Sequence, residues 1–284
     1  MLSKGKFLFA IIACFTFLPG KSQVLEVGAF AGVTGYEGDL SPILITPQEM
    51  KYSIGALARL NFTAYLSFRA TANYGLLTGD DKNNNKPGLV QRNLDFTSHI
   101  FDFAVVGEVN LIGYNKSLNG RTWSPYIFAG ASYFHFNPRT KLHGQWVELQ
   151  PLGTEGQGTP EYPDRKQYSL WQFSLPLGGG LKIRLNQRWN ANIEVTWHKT
   201  FTDYLDDVST TYVEPEVLMR NYGATSVALA NRTWEVQEEI RNFPPGFERG
   251  NAQKNDAFVF AGVNVTYNIF MKNTSGIRCP WYKR

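Results

Sequence analysis

Long segments in which polar and apolar residues alternate strictly constrain the fold of this chain more than any other feature. In 189–198, the apolar Trp189, Ile193 and Trp197 stand at odd-numbered positions, whereas the even-numbered positions are all polar. A β-strand places successive side chains on opposite faces, so this period of two indicates a strand with one apolar face. Comparable segments lie at 24–36, 52–62, 66–76, 101–111, 123–137, 168–185 and 257–270. The sequence therefore predicts an all-β fold of about eight strands.

The connections between these segments alternate between short and long. Tight turns lie at 62–64 and 186–188, and a moderate link lies at 113–122. The long connections are 37–51, 79–93, 138–167 and 201–255. Outer-membrane barrels have short periplasmic turns and long external loops, whereas a soluble sandwich has no reason to follow this parity. The pattern favours a transmembrane antiparallel β-barrel with long external loops, and a soluble periplasmic barrel or sandwich is the alternative.

The polar faces of the predicted strands carry four acidic and four basic residues. They are Glu26, Arg59, Arg69, Asp102, Glu108, Lys182, Arg184 and Glu194. On a soluble protein these side chains would face solvent. Inside a barrel of eight strands they would share a narrow interior and would have to pair with one another. Aromatic residues at segment ends, such as Trp123, Trp171 and Trp189, suit the two interfaces of a membrane.

The fourth long connection is the most organised. Helical periodicity is convincing only at roughly 215–232, where Pro215 suits a helix start, so we expect one short loop helix. The connection begins with the acidic stretch KTFTDYLDDVSTTYV at 199–213. Its Asp203, Asp206 and Asp207 are candidate metal ligands, although the EF-hand spacing is absent. A solvated rim and a protein-binding patch are the alternatives.

The ends of the chain predict export. Residues 1–22 combine a basic start, an apolar run and small residues before a cleavage site, which is typical of a signal peptide. The expected division is therefore a signal peptide at 1–22, a barrel at 23–270 and a periplasmic tail at 271–284. The signal carries three of the four net positive charges, so the mature chain gives no argument for nucleic acid. It also carries Cys14, which leaves Cys279 without a partner for an intramolecular disulfide.

Catalytic and cofactor motifs are absent from the sequence. The four histidines lack metal-ligand spacing and no GxSxG elbow occurs. We therefore expect no enzymatic activity, no cofactor and no small-molecule substrate. A lipid-modifying barrel that uses His143 and Ser169 is a less favoured alternative, because their spacing does not support it.

Several sequence blocks resemble one family. They are GYEGDLSP at 35–42, SPYIFAGASYFHFNP at 124–138, LQPLGTEGQG at 149–158, KTFTDYLDDVSTTYV at 199–213 and IRCP at 277–280. Together they are similar to the Bacteroidota outer-membrane β-barrel family of PorG, a subunit of the type IX secretion system. The resemblance implies an accessory or structural barrel in the outer-membrane lipid that contacts the periplasmic ring of PorK-like and PorN-like proteins. The family has members outside the secretion machinery, so a free-standing adhesin or envelope stabiliser is the alternative.

The tail after Phe270 offers a physical route to such partners. Lys272 and Arg278 make it basic, and Trp281 and Tyr282 are aromatic anchors of the kind enriched at protein interfaces. The periplasmic tail and short turns are therefore the expected ring-facing surface.

Overall fold

The computed structural model describes residues 24–43, 46–84, 86–114, 122–236 and 243–269. Within this part of the chain there are ten antiparallel strands. They are β1 (Val24–Glu37), β2 (Lys51–Asn61), β3 (Leu66–Asp80), β4 (Asp95–Asn110), β5 (Trp123–His135), β6 (Pro138–Leu142), β7 (Gln145–Glu148), β8 (Trp171–Arg184), β9 (Trp189–Thr200) and β10 (Ala257–Asn268). The predicted signal peptide and tail lie outside the described residues, as does Phe270.

Eight of these strands close into a barrel. Their order is β3-β2-β1-β10-β9-β8-β5-β4, and the pairing of β3 with β4 joins the two ends of the sheet. The remaining strands, β6 and β7, form a hairpin that pairs with β4 through β6. In the chain this hairpin follows β5, within a connection that the sequence predicts as a loop. The prediction of an all-β antiparallel barrel of about eight strands is confirmed.

The apolar faces of the strands point outward and the polar faces point inward. On β4, Phe103 and Val105 are 52% and 61% exposed, whereas Asp102 and Glu108 on the opposite face are completely buried or nearly so. Other barrel strands follow the same rule, with Ile193 exposed beside buried Glu194. This is the reverse of a water-soluble barrel, in which the polar face meets solvent.

Three short α-helices lie in the described connections. They are α1 (Pro87–Arg92), α2 (Pro215–Tyr222) and α3 (Ala224–Ala230). The prediction of a single helix at 215–232 is wrong in detail, because Gly223 has a φ of +86° and separates α2 from α3. A residue with this φ cannot continue a right-handed helix. The helix α1 was not predicted. None of the described helices has the length and apolar character that a membrane crossing requires.

The four long connections fold together over one end of the barrel. We call the described residues of 38–50, 81–94, 136–170 and 201–256 the dome. A hydrophobic core joins the dome to the barrel mouth, and its members include Tyr36, Leu40, Leu94, Phe96, Phe134, Phe136, Tyr168, Leu205 and Phe258. The opposite end, where the chain reverses at 62–65 and 185–188, is the short-turn end. The first residues of β1 and the last residues of β10 also lie at this end, because the two strands pair antiparallel.

Candidate functional site

An ion-pair network fills part of the barrel interior, with Glu108 at its centre. The Glu108 carboxylate contacts Arg59 Nε at 2.9 Å, Arg69 Nε at 3.0 Å and Lys182 Nζ at 2.6 Å. These side chains come from β4, β2, β3 and β8, and all four are nearly inaccessible to solvent. One carboxylate therefore pairs with three cations, so further acidic side chains are required to neutralise the remaining positive charge.

The two arginines each bridge to a second acid. Arg59 contacts Glu26 at 3.0 Å, and Arg69 pairs with Glu194. Tyr126 also donates a hydrogen bond to Glu194 at 2.5 Å. The network thus contains three acidic and three basic side chains: Glu26, Glu108, Glu194, Arg59, Arg69 and Lys182. Such a balance allows buried charges to neutralise one another without solvent.

The other two residues of the predicted interior set lie elsewhere. Arg184 is half-buried at the last position of β8. Asp102 is fully buried on β4, where one of its oxygens lies 3.6 Å from His198 Nδ1. The structure therefore brings together six of the eight predicted charges and places Asp102 in a separate cluster.

The cluster around Asp102 contains the residue types of a catalytic triad in a different arrangement. Ser174 Oγ lies 3.1 Å from His198 Nδ1, the same nitrogen that faces Asp102. Ser132 bonds to Ser174 at 2.6 Å. In a catalytic triad, one imidazole nitrogen accepts the proton of the serine, and the other nitrogen donates a hydrogen bond to the carboxylate. This geometry does not provide that relay.

The alternative catalytic pair is also separated by the fold. His143 lies at the turn between β6 and β7, and its ring centroid is 6.0 Å from that of Trp234. Ser169 precedes β8, and its hydroxyl donates to the backbone carbonyl of Trp171. No hydrogen bond between described residues joins this serine to this histidine.

The interior of the dome carries a second polar cluster. We call it the hub, and its charged members are Asp39, Asp81, Arg92, Glu155, Asp203, Asp206, Asp207, Arg249 and Asp256. They come from all four long connections, and all except Asp39 are buried.

Glu155 and Arg249 hold the third and fourth connections together. Their side chains form an ion pair at 2.9 Å. Glu155 also accepts hydrogen bonds from the backbone N–H groups of Ser209 at 3.0 Å and Thr210 at 2.9 Å. Arg249 donates to the backbone carbonyl of Asp207 at 2.7 Å. A carboxylate with several donors is strongly held, so Glu155 is an anchor of the dome.

Arg92 connects the first, second and fourth connections. Its guanidinium group forms two hydrogen bonds with the Asp81 carboxylate, at 2.7 and 2.8 Å. It also donates to the backbone carbonyls of Asp39, at 3.1 Å, and Arg249. The planar fork of arginine suits this bridging of several acceptors.

The three acids singled out in the sequence are buried in the hub, so they do not form a solvated rim. Asp206 accepts hydrogen bonds from the Tyr36 hydroxyl at 2.5 Å and from the backbone of Val208 at 2.9 Å. Asp207 accepts hydrogen bonds from the hydroxyls of Thr154 and Tyr168. Within the described ranges, no group of three His, Cys, Asp or Glu side chains could hold a metal ion.

Burial changes the acidity of these carboxyls. Desolvation is the main cause that raises the pKa of Asp203 and that of Asp206 to about 8. It also raises the pKa of Asp207 to about 6, although nearby Arg249 opposes the change. Their carboxyl groups therefore hold protons more tightly than solvated carboxyls do.

Sequence reasoning did not identify Tyr36, Glu155, Arg249 or Asp256 as members of a site. A signal for Glu155 was present in GTEGQG at 153–158, where its three glycines all have positive φ. This backbone folds the segment tightly around Glu155. The other members carry no local pattern that distinguishes them from ordinary loop residues.

The dome also carries an open apolar cavity of about 550 Å³. Residues from α2, α3 and the segment that follows line it, including Pro215, Leu218, Val227, Trp234 and Phe243. A second cavity of about 490 Å³ lies over the hub and is lined by residues such as Arg92, Tyr212 and Arg249.

Among solved structures, Neisserial surface protein A has a TM-score of 0.42 and 8% identity, with 87% of this chain and 99% of that chain covered. OprG from Pseudomonas aeruginosa has a TM-score of 0.40 and 11% identity, with coverages of 88% and 96%. Ail, the attachment invasion locus protein of Yersinia pestis, has a TM-score of 0.39 and 8% identity, with coverages of 87% and 97%. Similarity at this level of identity and TM-score does not indicate the activity of this chain.

A search of curated proteins found no match. The model of one protein family matches residues 5–220, which is most of the chain. The chain therefore belongs to the DUF6089 family, which is described as a domain of unknown function.

Proposed function

We propose that this protein is a non-enzymatic outer-membrane β-barrel that acts as a structural or accessory component of the type IX secretion machinery. We infer the membrane location from the apolar faces of the barrel strands, which point outward. On these faces, residues such as Phe103, Val105 and Ile193 are more than half exposed. In water this surface would be a large aggregation hazard, whereas in a bilayer it is the lipid-facing band.

Aromatic residues support the same placement. Trp123 and Trp189 are exposed at the short-turn ends of their strands, and Trp171 is exposed at the dome end of β8. Aromatic side chains at both ends of an apolar band are typical of the two membrane interfaces. The dome then faces the exterior and the short turns face the periplasm.

A structural role fits the interior better than a channel role. The six-membered ion-pair network occupies the barrel, and the dome closes the mouth through its hydrophobic core. Barrels of eight strands enclose only enough space for side chains. The sequence resemblance supports the finer proposal of contact with a periplasmic ring of PorK-like and PorN-like proteins.

The tail residues Lys272, Arg278, Trp281 and Tyr282 remain the proposed ring-binding segment. The last described strand, β10, ends at the short-turn end of the barrel, beside the start of β1. In the proposed orientation this end of β10 faces the periplasm, which supports the proposal that the segment 271–284 binds the ring.

The test compares secreted proteins in cells with the full chain, without it, and with a chain truncated after Phe270. We expect proteins with type IX export signals to accumulate in the periplasm in the last two strains. The truncated barrel should still be inserted in the outer membrane and should no longer co-purify with the ring. Normal secretion in the deletion strain would refute the secretion role, and ring co-purification with the truncated barrel would refute the role of the tail.

A free-standing adhesin or envelope stabiliser is the second candidate. The dome exposes large apolar side chains at Trp146, Met219 and Phe247, which could serve external binding. This candidate predicts that the deletion leaves secretion intact and that substitutions on the dome, not on the tail, change the phenotype.

A further inference from the structure

The hub contains far more acid than base. Among its members, seven are carboxyl groups and two are guanidinium groups, with Arg92 paired to Asp81 and Arg249 paired to Glu155. This leaves Asp39, Asp203, Asp206, Asp207 and Asp256 without an ion pair within 4.0 Å among the described residues. Ionised carboxylates that are buried without a counter-charge are strongly unfavourable, and such groups neutralise instead.

Nearby bases do not correct the imbalance. Arg165 donates from its guanidinium group to the backbone carbonyls of Glu155 and Thr211, not to a carboxylate of the hub. Lys254 pairs with Glu37 at the exposed rim. The titratable side chains that interact with Asp203, Asp206 or Asp256 from β1 and from the connections include Tyr36, Asp39, Arg92, Glu155 and Tyr168. Around them, Asp81 interacts with Arg92, and the residues that interact with Glu155 are Tyr204, Asp207, Tyr212 and Arg249.

The contacts of Tyr36 locate one proton. Its hydroxyl lies 2.5 Å from Asp206 Oδ2 and 3.4 Å from Asp256 Oδ1. A phenol has one proton, and the shorter contact shows that it goes to Asp206. The other oxygen of Asp256 accepts from the backbone of Leu205 at 2.9 Å. Because Asp256 Oδ1 faces an oxygen whose proton is already used, a proton on Asp256 removes the repulsion and lets it donate to Tyr36.

Asp203 presents a second, independent case. Its residue is 8% exposed, and no donor reaches either carboxylate oxygen in hydrogen-bond geometry. Burial is the largest cause that raises its pKa, and the like charges of Asp39, Asp206 and Glu155 add to the rise. A contact with the Ser209 hydroxyl only partly offsets these effects. A buried carboxyl that has no cation and only a weak contact with the Ser209 hydroxyl is more stable when it is protonated.

We propose that the dome is a proton-locked cap, closed by protons held on Asp203 and Asp256 and loosened when these protons are lost. A bound metal does not replace them in this geometry, because no group of described side chains has a metal-binding arrangement. Loss of the protons places several like charges inside one buried cluster, and opening of the connections restores their hydration. The barrel strands need not move.

The direction of the pH dependence follows from the raised pKa values. In the closed dome the pKa of Asp203 is about 8, whereas a solvated aspartate has a pKa of about 3.9. The Asp203 proton therefore stabilises the closed dome fully below about pH 4, and this stabilisation is lost as the pH rises through about 8. Burial also raises the pKa of Asp256 well above its usual value, so its proton acts in the same direction. Each proton released on opening increases the opening constant about tenfold per pH unit in this window.

Amide hydrogen exchange on the full protein in lipid nanodiscs tests the proposal. Exchange in 149–170 and 201–236 is measured from about pH 5 to about pH 9 and corrected for the intrinsic effect of pH. We expect dome protection to fall with rising pH while protection of the barrel strands stays constant. The double variant D203N/D256N carries neutral side chains at both positions, so its dome should stay protected across the range. D164N, at an exposed dome position, should behave like the unmodified protein.

Infrared difference spectroscopy provides a readout that does not depend on the folding of a variant. At neutral pH the unmodified protein should show the carbonyl stretch of protonated carboxyl groups, and this signal should vanish as the dome loosens in alkali. Dome protection that does not change with pH, or the absence of protonated carboxyls at neutral pH, would overturn the proposal. So would full protection by added Ca²⁺ at alkaline pH, because a metal ion would then be the neutralising group.

Discussion

Replacement of Glu108 by Gln should destabilise the barrel more than any other single loss of charge from the interior network. The Glu108 carboxylate lies within 3.0 Å of nitrogen atoms on Arg59, Arg69 and Lys182. The variant leaves three buried cations with two remaining acids, Glu26 and Glu194. Removal of one partner from a buried ion pair costs about 3–5 kcal/mol, because the charge left behind is uncompensated. We expect E108Q to lower the free energy of unfolding by about 3 kcal/mol, since the glutamine oxygen still accepts one hydrogen bond.

A second substitution tests whether the cost arises from charge imbalance. In E108Q/K182M, two bases remain with two acids, and the methionine side chain is close to lysine in length. The double variant should therefore be more stable than the sum of the two single losses predicts, by at least about 1 kcal/mol. Lys182 contacts Glu108 at 2.6 Å, which is close enough for such coupling.

The assay is urea unfolding of the barrel in lipid vesicles, followed by tryptophan fluorescence. E161Q is the matched control, because Glu161 pairs with Arg220 on the exposed surface of the dome. Exposed ion pairs contribute about 0–1 kcal/mol, so the control should unfold almost like the unmodified protein. Equal effects of E108Q and E161Q, or strict additivity of E108Q and K182M, would refute the reasoning.

Three further outcomes are expected. V105R should reduce the amount of inserted barrel, because an arginine on the lipid face at mid-membrane costs about 2–4 kcal/mol, whereas M219R on the dome should leave insertion unchanged, as measured in outer-membrane fractions. E155A should leave the Arg249 charge buried and unpaired, so limited proteolysis should cut the dome faster while the barrel fragment stays intact. D207A should destabilise the dome more than D207N by roughly 1 kcal/mol in thermal unfolding, because φ is +66° at this position and asparagine adopts that conformation more readily than alanine.

The barrel could be predicted because its two signals are local. Period-two alternation marks each strand, and connection length marks which end of the barrel each turn occupies. Strand β4 shows where the first signal fails, since it begins at Asp95 and not at 101. Phe96 and Ile100, in its early part, point inward into the dome core, whereas outward-facing Thr97 and His99 are polar. The outer face is therefore no longer apolar beyond the lipid-facing region, and the pattern expected for a membrane strand disappears.

The interior charges could be predicted as a set but not as a network. Alternation places Glu26, Arg59 and Glu108 on inward faces, yet the contacts depend on strand order and register, which only the closed barrel provides. The hub depends still more on tertiary structure. Glu155 and Arg249 are 94 residues apart in the chain and meet only when the third and fourth connections fold together. For this reason the acidic stretch around Asp206 resembled a solvated rim in the sequence although it is buried in the structure.

The two polar clusters differ in their balance of charge and in the elements that carry them. In the barrel, three acids and three bases neutralise one another on strands that are fixed by continuous pairing, so closure there needs no external charge. In the dome, the hub contains seven acids and two bases. These residues lie on the long connections, where backbone hydrogen bonding is less regular than in the barrel strands. Neutrality of the hub therefore depends on protons from the surroundings. Since local opening in proteins concentrates in such irregular segments, a rise in external pH should, in the proposed orientation, loosen the dome and leave the barrel strands unchanged.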